Sequence, residues 1–195
     1  MPISYLAPHL LRVIWFYFGK TTYHHGIGKW LMAIMAKLGW SNRIIYPNEK
    51  QGRDMKPFPA QLPNALAALV LPQLQNLDKI QSVRQRQVAR YTREISNPKF
   101  QFSPLLAEYP LVRLPGLVTN PIVWHQAAAQ TNIFLGDWYS TVVAPNTSNA
   151  ISGYQPDSCV QAESLATQSI NLPTGPWLTP TEQGRVIAFI NSFHP

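Results

Sequence analysis

Charged residues are scarce in this sequence, and the few that it has are unevenly distributed. Asp, Glu, Lys and Arg make up 13% of the 195 residues, about half of the ~25% that is usual in soluble domains. Residues 1–100 contain 14 Lys/Arg and 4 Asp/Glu, whereas residues 101–195 contain 2 and 5. This asymmetry indicates two functional regions. Because no two Lys or Arg residues are adjacent, solvated helix faces explain them better than a polyanion site, and we predict no nucleic-acid partner.

Cysteine is nearly absent, since Cys159 is the only one. A single cysteine excludes an intramolecular disulfide and a Cys-rich zinc site, which favours a reducing compartment, and we predict a cytoplasmic protein. No known nucleophile signature surrounds Cys159, so we expect a buried, inert thiol. Metal-ligand spacing is also missing, because no two of the five histidines lie four residues apart. We therefore predict no metal site.

The sequence has no long hydrophobic run. Residues 10–18 are strongly apolar but are interrupted by Arg12, and residues 30–36 form a second, short apolar stretch. A helix that spans a bilayer needs ~20 mostly apolar residues, so we predict no spanning segment. We also predict no signal peptide, because a cleavage site is missing after the first stretch. Two short apolar helices are able to lie on a membrane surface, but we favour packing on another domain.

Proline and helical periodicity divide the chain into three parts. Residues 1–63 are predicted to be an apolar pair of helices with a Pro-rich connector, and residues 64–100 to be one long interdomain helix. Apolar residues recur along that helix at helical spacing. Pro72 within it predicts a kink or a division into two helices. After Asn97-Pro98 the pattern changes, and residues 101–195 are predicted to form a small domain.

The small domain alternates between strand and helix patterns. We predict strands over 109–114, 133–143 and 169–172, the second of them with a turn or bulge at Gly136, and helices over 120–130, 162–167 and 181–193. Thr179 or Thr181 is expected to cap the last helix. This order is typical of helices packed on one small sheet. The predicted fold class is therefore α/β, with long helices followed by a small α/β sandwich domain.

Asp137, Trp138 and Tyr139 form the most chemically distinctive cluster of the second half. Aromatic side chains beside a carboxylate are able to line a polar ligand pocket, and a strand end packed on a neighbouring helix accounts for them equally well. Elsewhere, Gly19-Lys20 resembles the end of a phosphate-binding P-loop, but Ile14 occupies the position of the required first glycine, which excludes that motif. These residues by themselves predict no catalytic group.

Residues 67–78 follow the pattern Ala-Ala-Leu-x-Leu-x-Gln-Leu-x-x-Leu-Asp. With this pattern, the segment Leu62–Tyr91 resembles the long helix of the DegT/DnrJ/EryC1/StrS aminotransferases, pyridoxal-phosphate (PLP) enzymes that aminate keto-sugar nucleotides. Motifs resembling the small C-terminal domain of that family then follow in the family's order: Gly136-Asp137-Trp138-Tyr139, Gln161-Ala162-Glu163, Ile170-Asn171-Leu172-Pro173-Thr174 and Leu178-Thr179. The resemblance covers residues 60–195.

The resemblance implies a fold like the C-terminal part of a fold-type I PLP aminotransferase, with PLP as cofactor and a sugar nucleotide and an amino donor as substrates. Trp138-Tyr139 stands where the family has His-Tyr, so Asp137, Trp138 and Tyr139 are the expected substrate-binding residues. The family's Schiff-base lysine lies in a Ser-x-x-x-Lys setting that this sequence lacks, and Lys20 has neither the serine nor the following glycines. We therefore expect no catalytic or cofactor-binding residue in this chain.

Three interpretations follow from the resemblance and the composition. In the first, the chain is the C-terminal half of such an aminotransferase. It is then active with a separate chain that carries the lysine domain, or in a homo-oligomer whose subunit interface is the helix from Asn64 to Ile95. In the second, it is a non-catalytic relic or binding module, and in the third its basic first half associates with a membrane surface. We favour the first, because few charges and two leading apolar helices indicate a missing packing partner. Pro59 and Gln61 stand at the positions of the family's Asn-x-Arg.

Overall fold

The computed structural model describes residues 26–38, 64–144 and 152–195, together with Leu11, Ile14, Thr22, Asn48 and Arg53. The chain divides into two compact units, residues 1–70 and residues 71–195. Most of the first predicted apolar helix lies outside the described residues, as do Lys20, Pro59 and Gln61.

The first unit contains helix α1, Ile27–Lys37, at the second predicted apolar stretch. Gly26 precedes the helix at a φ of 80°, which glycine adopts at little cost. Met35 is buried, whereas Ile27 and Trp30 are exposed. None of the helices in the described part of the chain is both long and apolar enough to span a bilayer.

The predicted long helix is divided, as Pro72 indicated, into α2, Asn64–Gln75, and α3, Leu77–Glu94. The division lies at Asn76, four residues after the proline. The Asn76 side chain donates a 2.8 Å hydrogen bond to the carbonyl of Pro72, to which its own backbone N–H is also 3.2 Å away. An asparagine side chain that bonds a nearby carbonyl competes with regular helix geometry. Asn76 therefore ends α2 one turn beyond the proline.

The apolar stripe of α3 is buried only in its second half. Val88 and Tyr91 are fully buried, and Ile95 follows on the same face, as the helical spacing predicts. Leu77 at the start of α3 and Leu74 near the end of α2 continue the stripe, but both are exposed, and residues 71–79 are all exposed. The core of the second unit thus covers only the C-terminal part of this helix.

The sheet of the second unit consists of two antiparallel strands, β1, Arg113–Leu117, and β2, Ser169–Pro173. Arg113 pairs with Pro173 and Leu117 with Ser169. Isolated bridges extend the sheet on both sides, from Gln101 to Leu117 and from Gly136 to Asn171. Leu114, Ile170 and Leu172 are fully buried. The α/β class predicted from the sequence is confirmed, and β2 has nearly the predicted bounds.

Two strand predictions are corrected by the structure. The strand expected over 109–114 begins only at Arg113, because residues 104–108 form a 3-10 helix and Tyr109 continues it by donating to the carbonyl of Leu106. The strand expected over 133–143 is wrong. Among the described residues of this segment, Gly136 alone pairs with β2 through its backbone, and the residues after it form turns and bends. One pairing position on β2 is too few to align the residues after Gly136 as a strand, and these residues form a loop.

Three further helices complete the second unit: α4, Pro121–Gln130; α5, Val160–Gln168; and α6, Pro180–Ser192. Trp124 of α4 is buried, with its ring centroid 4.9 Å from that of Phe193 and 6.3 Å from that of Phe189. Of the two candidate caps of α6, Thr179 is the residue that caps the helix, and it forms a capping box with Glu182. These helices match the predicted ones closely.

The prediction for Cys159 is wrong, because its side chain is exposed. Cys159 immediately precedes α5, a helix that buries none of its residues. Because this helix lies at the surface, a thiol at its start is not packed against the core.

Candidate functional site

The segment from Gly136 to Ser140, which we call the site loop, is fixed to strand β2 at its first residue. Gly136 and Asn171 exchange two backbone hydrogen bonds of 2.8 Å. The Asn171 side chain, itself buried, also donates to the carbonyl of Trp138. A buried amide that bonds a loop carbonyl restricts the loop to one conformation. Asn171 therefore positions the residues that follow Gly136.

A cavity of about 510 Å³ opens between the site loop, the start of α4 and the junction of α5 with β2. Its polar lining comes from three separate segments: Thr119, Asn120, His125, Asp137, Ser140, Thr167 and Ser169. The pairing of Leu117 with Ser169 brings the end of β1, and thus Thr119, beside the start of β2. One carboxylate, one imidazole and several hydroxyl groups provide both donors and acceptors. Such a lining suits a small polar ligand.

The three residues predicted from the sequence take different positions around this cavity. Asp137 lines it, whereas Trp138 and Tyr139 are 60% and 61% exposed and are not among the residues that line it. Their rings stack on each other, with centroids 6.2 Å apart and planes inclined by 20°. Trp138 and Tyr139 thus form an exposed aromatic pair beside the cavity.

Sequence reasoning missed His125, Ser140 and Ser169, which also line the cavity. His125 lies in the predicted helix that corresponds to α4. Because it is twelve positions from Asp137, no helix or strand periodicity relates the two residues. Ser169 reaches the site only through its pairing with Leu117. The one usable signal was Ser140, which directly follows the predicted trio.

The guanidinium of Arg113 lies against the first residue of the site loop. A Cβ atom added to Gly136 would be 2.9 Å from Nη1 of Arg113 and 3.1 Å from Cβ of Asn171. Both distances are too short for a side chain to fit without displacement. Glycine at position 136 therefore allows the arginine to extend over the start of the loop.

Buried polar contacts hold the far end of β2. The hydroxyl of Tyr91 donates a 3.0 Å hydrogen bond to the carbonyl of Pro173, and burial raises the pKa of this tyrosine well above its usual range. The hydroxyl of Thr174 donates to the carbonyls of Leu111 and Val112. These bonds fix β2 against α3 and the entry to β1, and so fix the strand that supports the site loop.

The PLP chemistry of such enzymes needs a lysine amine close to the ligand, and no lysine is among the residues that line the cavity described above. Lys79 is exposed on α3, and Nζ of Lys99 donates to the backbone carbonyl of Pro195. The part of the chain covered by the structure also holds no group of three His, Cys, Asp or Glu residues suited to a metal ion.

The model of the DegT/DnrJ/EryC1/StrS aminotransferase family matches residues 32–191. This chain belongs to that family. The match includes both halves of the divided helix, the site loop and strand β2, and it confirms the resemblance seen in the sequence. No curated protein matches the sequence.

Three solved structures share the fold. An aminotransferase of this family from Brucella abortus is 20% identical, with a TM-score of 0.58 over 74% of this chain. S. venezuelae DesV, solved in complex with a ketimine intermediate, is 20% identical, with a TM-score of 0.57 over 71%. AtS13 from Actinomadura melliaura is 18% identical, with a TM-score of 0.53 over 78%. The matches cover 41%, 40% and 41% of those chains, so this chain corresponds to less than half of each.

Proposed function

We propose that this chain supplies the substrate-facing C-terminal part of a PLP-dependent aminotransferase that acts on keto-sugar nucleotides. The observation that carries the proposal is the polar cavity beside the site loop, which lies within the part of the chain matched by the family model. Asp137 accepts hydrogen bonds from sugar hydroxyls, because an ionised carboxylate is an acceptor with several lone pairs. Ser140 and His125 complete the polar lining.

We further propose that the reactive lysine comes from another polypeptide, in the cytoplasm. The cavity lining contains no lysine, and the segment 71–79 offers an apolar face without a covering core, formed by Leu71, Leu74 and Leu77. A helix that presents leucines to solvent on one face is typical of a surface that packs on a partner. The partner that we propose is a chain that carries the lysine domain.

The experiment is affinity purification of the tagged full chain from its own organism, followed by an assay with L-glutamate and keto-sugar nucleotides. We expect a second polypeptide in stoichiometric amount, a yellow complex and formation of the amino sugar. Asp137→Asn should raise KM for the sugar nucleotide about tenfold, because a hydrogen bond to a charged group is lost. Asp157→Asn, at an exposed turn away from the cavity lining, is the matched control. A colourless, inactive chain that purifies alone would contradict the proposal.

A second candidate is a non-catalytic binding module, and the cavity lining without lysine is the observation that favours it. A module of this kind binds the sugar nucleotide and converts nothing. Purification of the chain as a single colourless species that still binds a sugar nucleotide in the micromolar range would select this alternative.

A further inference from the structure

Arg113 lies on the same face of the sheet as Asn171. Side chains alternate between the two faces of a strand, and directly paired residues share a face. Pro115 pairs with Asn171, so Pro115, Arg113 and Asn171 point to one side. Gly136 pairs with Asn171 from the opposite edge. Since the Arg113 guanidinium reaches Gly136, its side chain crosses β2 on this face and ends beside the site loop.

The positive charge of Arg113 has no protein partner among the described residues. The described ion pairs join Arg90 and Arg93 to Glu94, with N–O distances of 3.0 Å. No described hydrogen bond involves the guanidinium of Arg113, and its side chain is exposed. A guanidinium presents five N–H donors in a planar fork that suits the oxygens of a phosphate. Arg113 is therefore a free donor group for an anion at this position.

The aromatic pair lies on the site loop shortly after Gly136, the residue that the Arg113 guanidinium contacts. Trp138 and Tyr139 follow Gly136 by two and three residues, and more than half of each side chain is exposed. Two large stacked rings exposed to water leave apolar area uncovered, and a planar ring is the ligand that best covers it. An exposed arginine and an exposed aromatic surface thus lie at the two ends of one short segment.

We propose that Arg113 binds the diphosphate and that Trp138 and Tyr139 stack on the base of a nucleoside diphosphate. This inference rests on the proposed function and deepens it, because it assigns the nucleotide half of the substrate to the exposed face and leaves the cavity for the sugar. The carboxylate of Asp137 lines that cavity. Its negative charge disfavours a phosphate there and directs the anionic group to the guanidinium.

Calorimetric titration of the full chain with UDP and with dTDP tests this assignment. Arg113→Gln should weaken binding at least about tenfold, since it removes a charge-assisted contact to phosphate. Arg86→Gln, which removes the same charge from an exposed position on α3, should leave the affinity within twofold. Trp138→Ala should weaken binding about tenfold through lost stacking. If Arg113→Gln does not fold, Arg113→Lys keeps the charge without the planar fork and should still weaken binding severalfold.

Two partial ligands separate the contributions. Inorganic pyrophosphate should bind more weakly than UDP and should lose affinity in Arg113→Gln but not in Trp138→Ala, whereas uridine should show the reverse. Equal losses in Arg113→Gln and Arg86→Gln would overturn the proposal, because they indicate attraction by net charge alone. Pyrophosphate binding as tight as that of UDP would overturn the role of the rings.

The outcome also separates this inference from the proposed function. If the purified complex shows no transamination but the chain binds UDP through Arg113, the proposed function fails and the nucleotide site stands. If transamination proceeds and Arg113→Gln leaves KM for the sugar nucleotide unchanged, the function stands and the nucleotide site is refuted.

Discussion

Replacing Gln87 with methionine removes the amide that joins α3 to the turn before α6. Its Nε2 atom donates to the carbonyls of Gly175, at 3.0 Å, and Leu178, at 3.1 Å. Its Oε1 atom accepts from the backbone N–H of Gly175, at 2.7 Å. Gln87 and both partners are buried. Methionine has nearly the same volume and shape, so the change isolates the hydrogen bonds.

The magnitude follows from the groups left without a partner. The Gly175 carbonyl keeps the hydrogen bond from the N–H of Leu178, at 3.0 Å. The N–H of Gly175 and the carbonyl of Leu178 lose their partner, and each unsatisfied buried group costs about 1–3 kcal/mol. We therefore expect Gln87→Met to lower the free energy of unfolding by about 2–6 kcal/mol.

Urea unfolding followed by tryptophan fluorescence measures this loss as a lower midpoint at unchanged slope. The matched control is Gln85→Met, since Gln85 is exposed and makes a single hydrogen bond to the carbonyl of Glu108. The control should change the free energy of unfolding by no more than about 0.5 kcal/mol. Equal midpoints for Gln87→Met and the unmodified chain would refute the reasoning.

Three further predictions concern the same unit. Gly175→Ala should lower the free energy of unfolding by about 1–3 kcal/mol, because φ is 143° and the new Cβ would lie 2.6 Å from Nε1 of Trp177; a thermal midpoint equal to that of the unmodified chain would contradict this. Thr179→Ala should cost about 1 kcal/mol through loss of the capping box, whereas Thr181→Ala, one residue into the helix, should cost less than half as much in the same urea titration. Hydrogen bonds from two neighbouring arginines hold the pKa of Glu94 below its usual 4.5, so its stabilising contribution is present above that pH and is lost as the pH falls through the lower, folded-state value. The difference in thermal midpoint between Glu94→Gln and the unmodified chain should therefore shrink on acidification, and a constant difference would count against the pairing.

Local signals in the sequence indicate where two of the helices begin. Thr179 with Glu182 three residues later marks the start of α6, and Asn120-Pro121 marks the start of α4. Each signal acts through backbone groups within one helical turn. Pro72 predicted that the long helix is divided, but the exact point depends on the side chain of Asn76, which competes for the Pro72 carbonyl.

The site required information that local patterns do not carry. The segment after Gly136 is rich in β-branched and aromatic residues, which favour a strand, yet β2 offers it only one pairing position, at Asn171. The partners of that loop come from residues distant in sequence. His125 and Ser169 reach the cavity through α4 and through the pairing of the two strands. Asp137 alone among the predicted residues lines the cavity, and its role in substrate binding stays a prediction.

The central proposal is that this chain shapes a substrate site and that the reactive lysine comes from another polypeptide. The most direct measurement is an assay of the purified chain alone, with added PLP, L-glutamate and a keto-sugar nucleotide, in which the amino sugar is detected by mass spectrometry. The account predicts no product from the chain alone and product when the companion polypeptide is added. Steady formation of the amino sugar by the chain alone would contradict it.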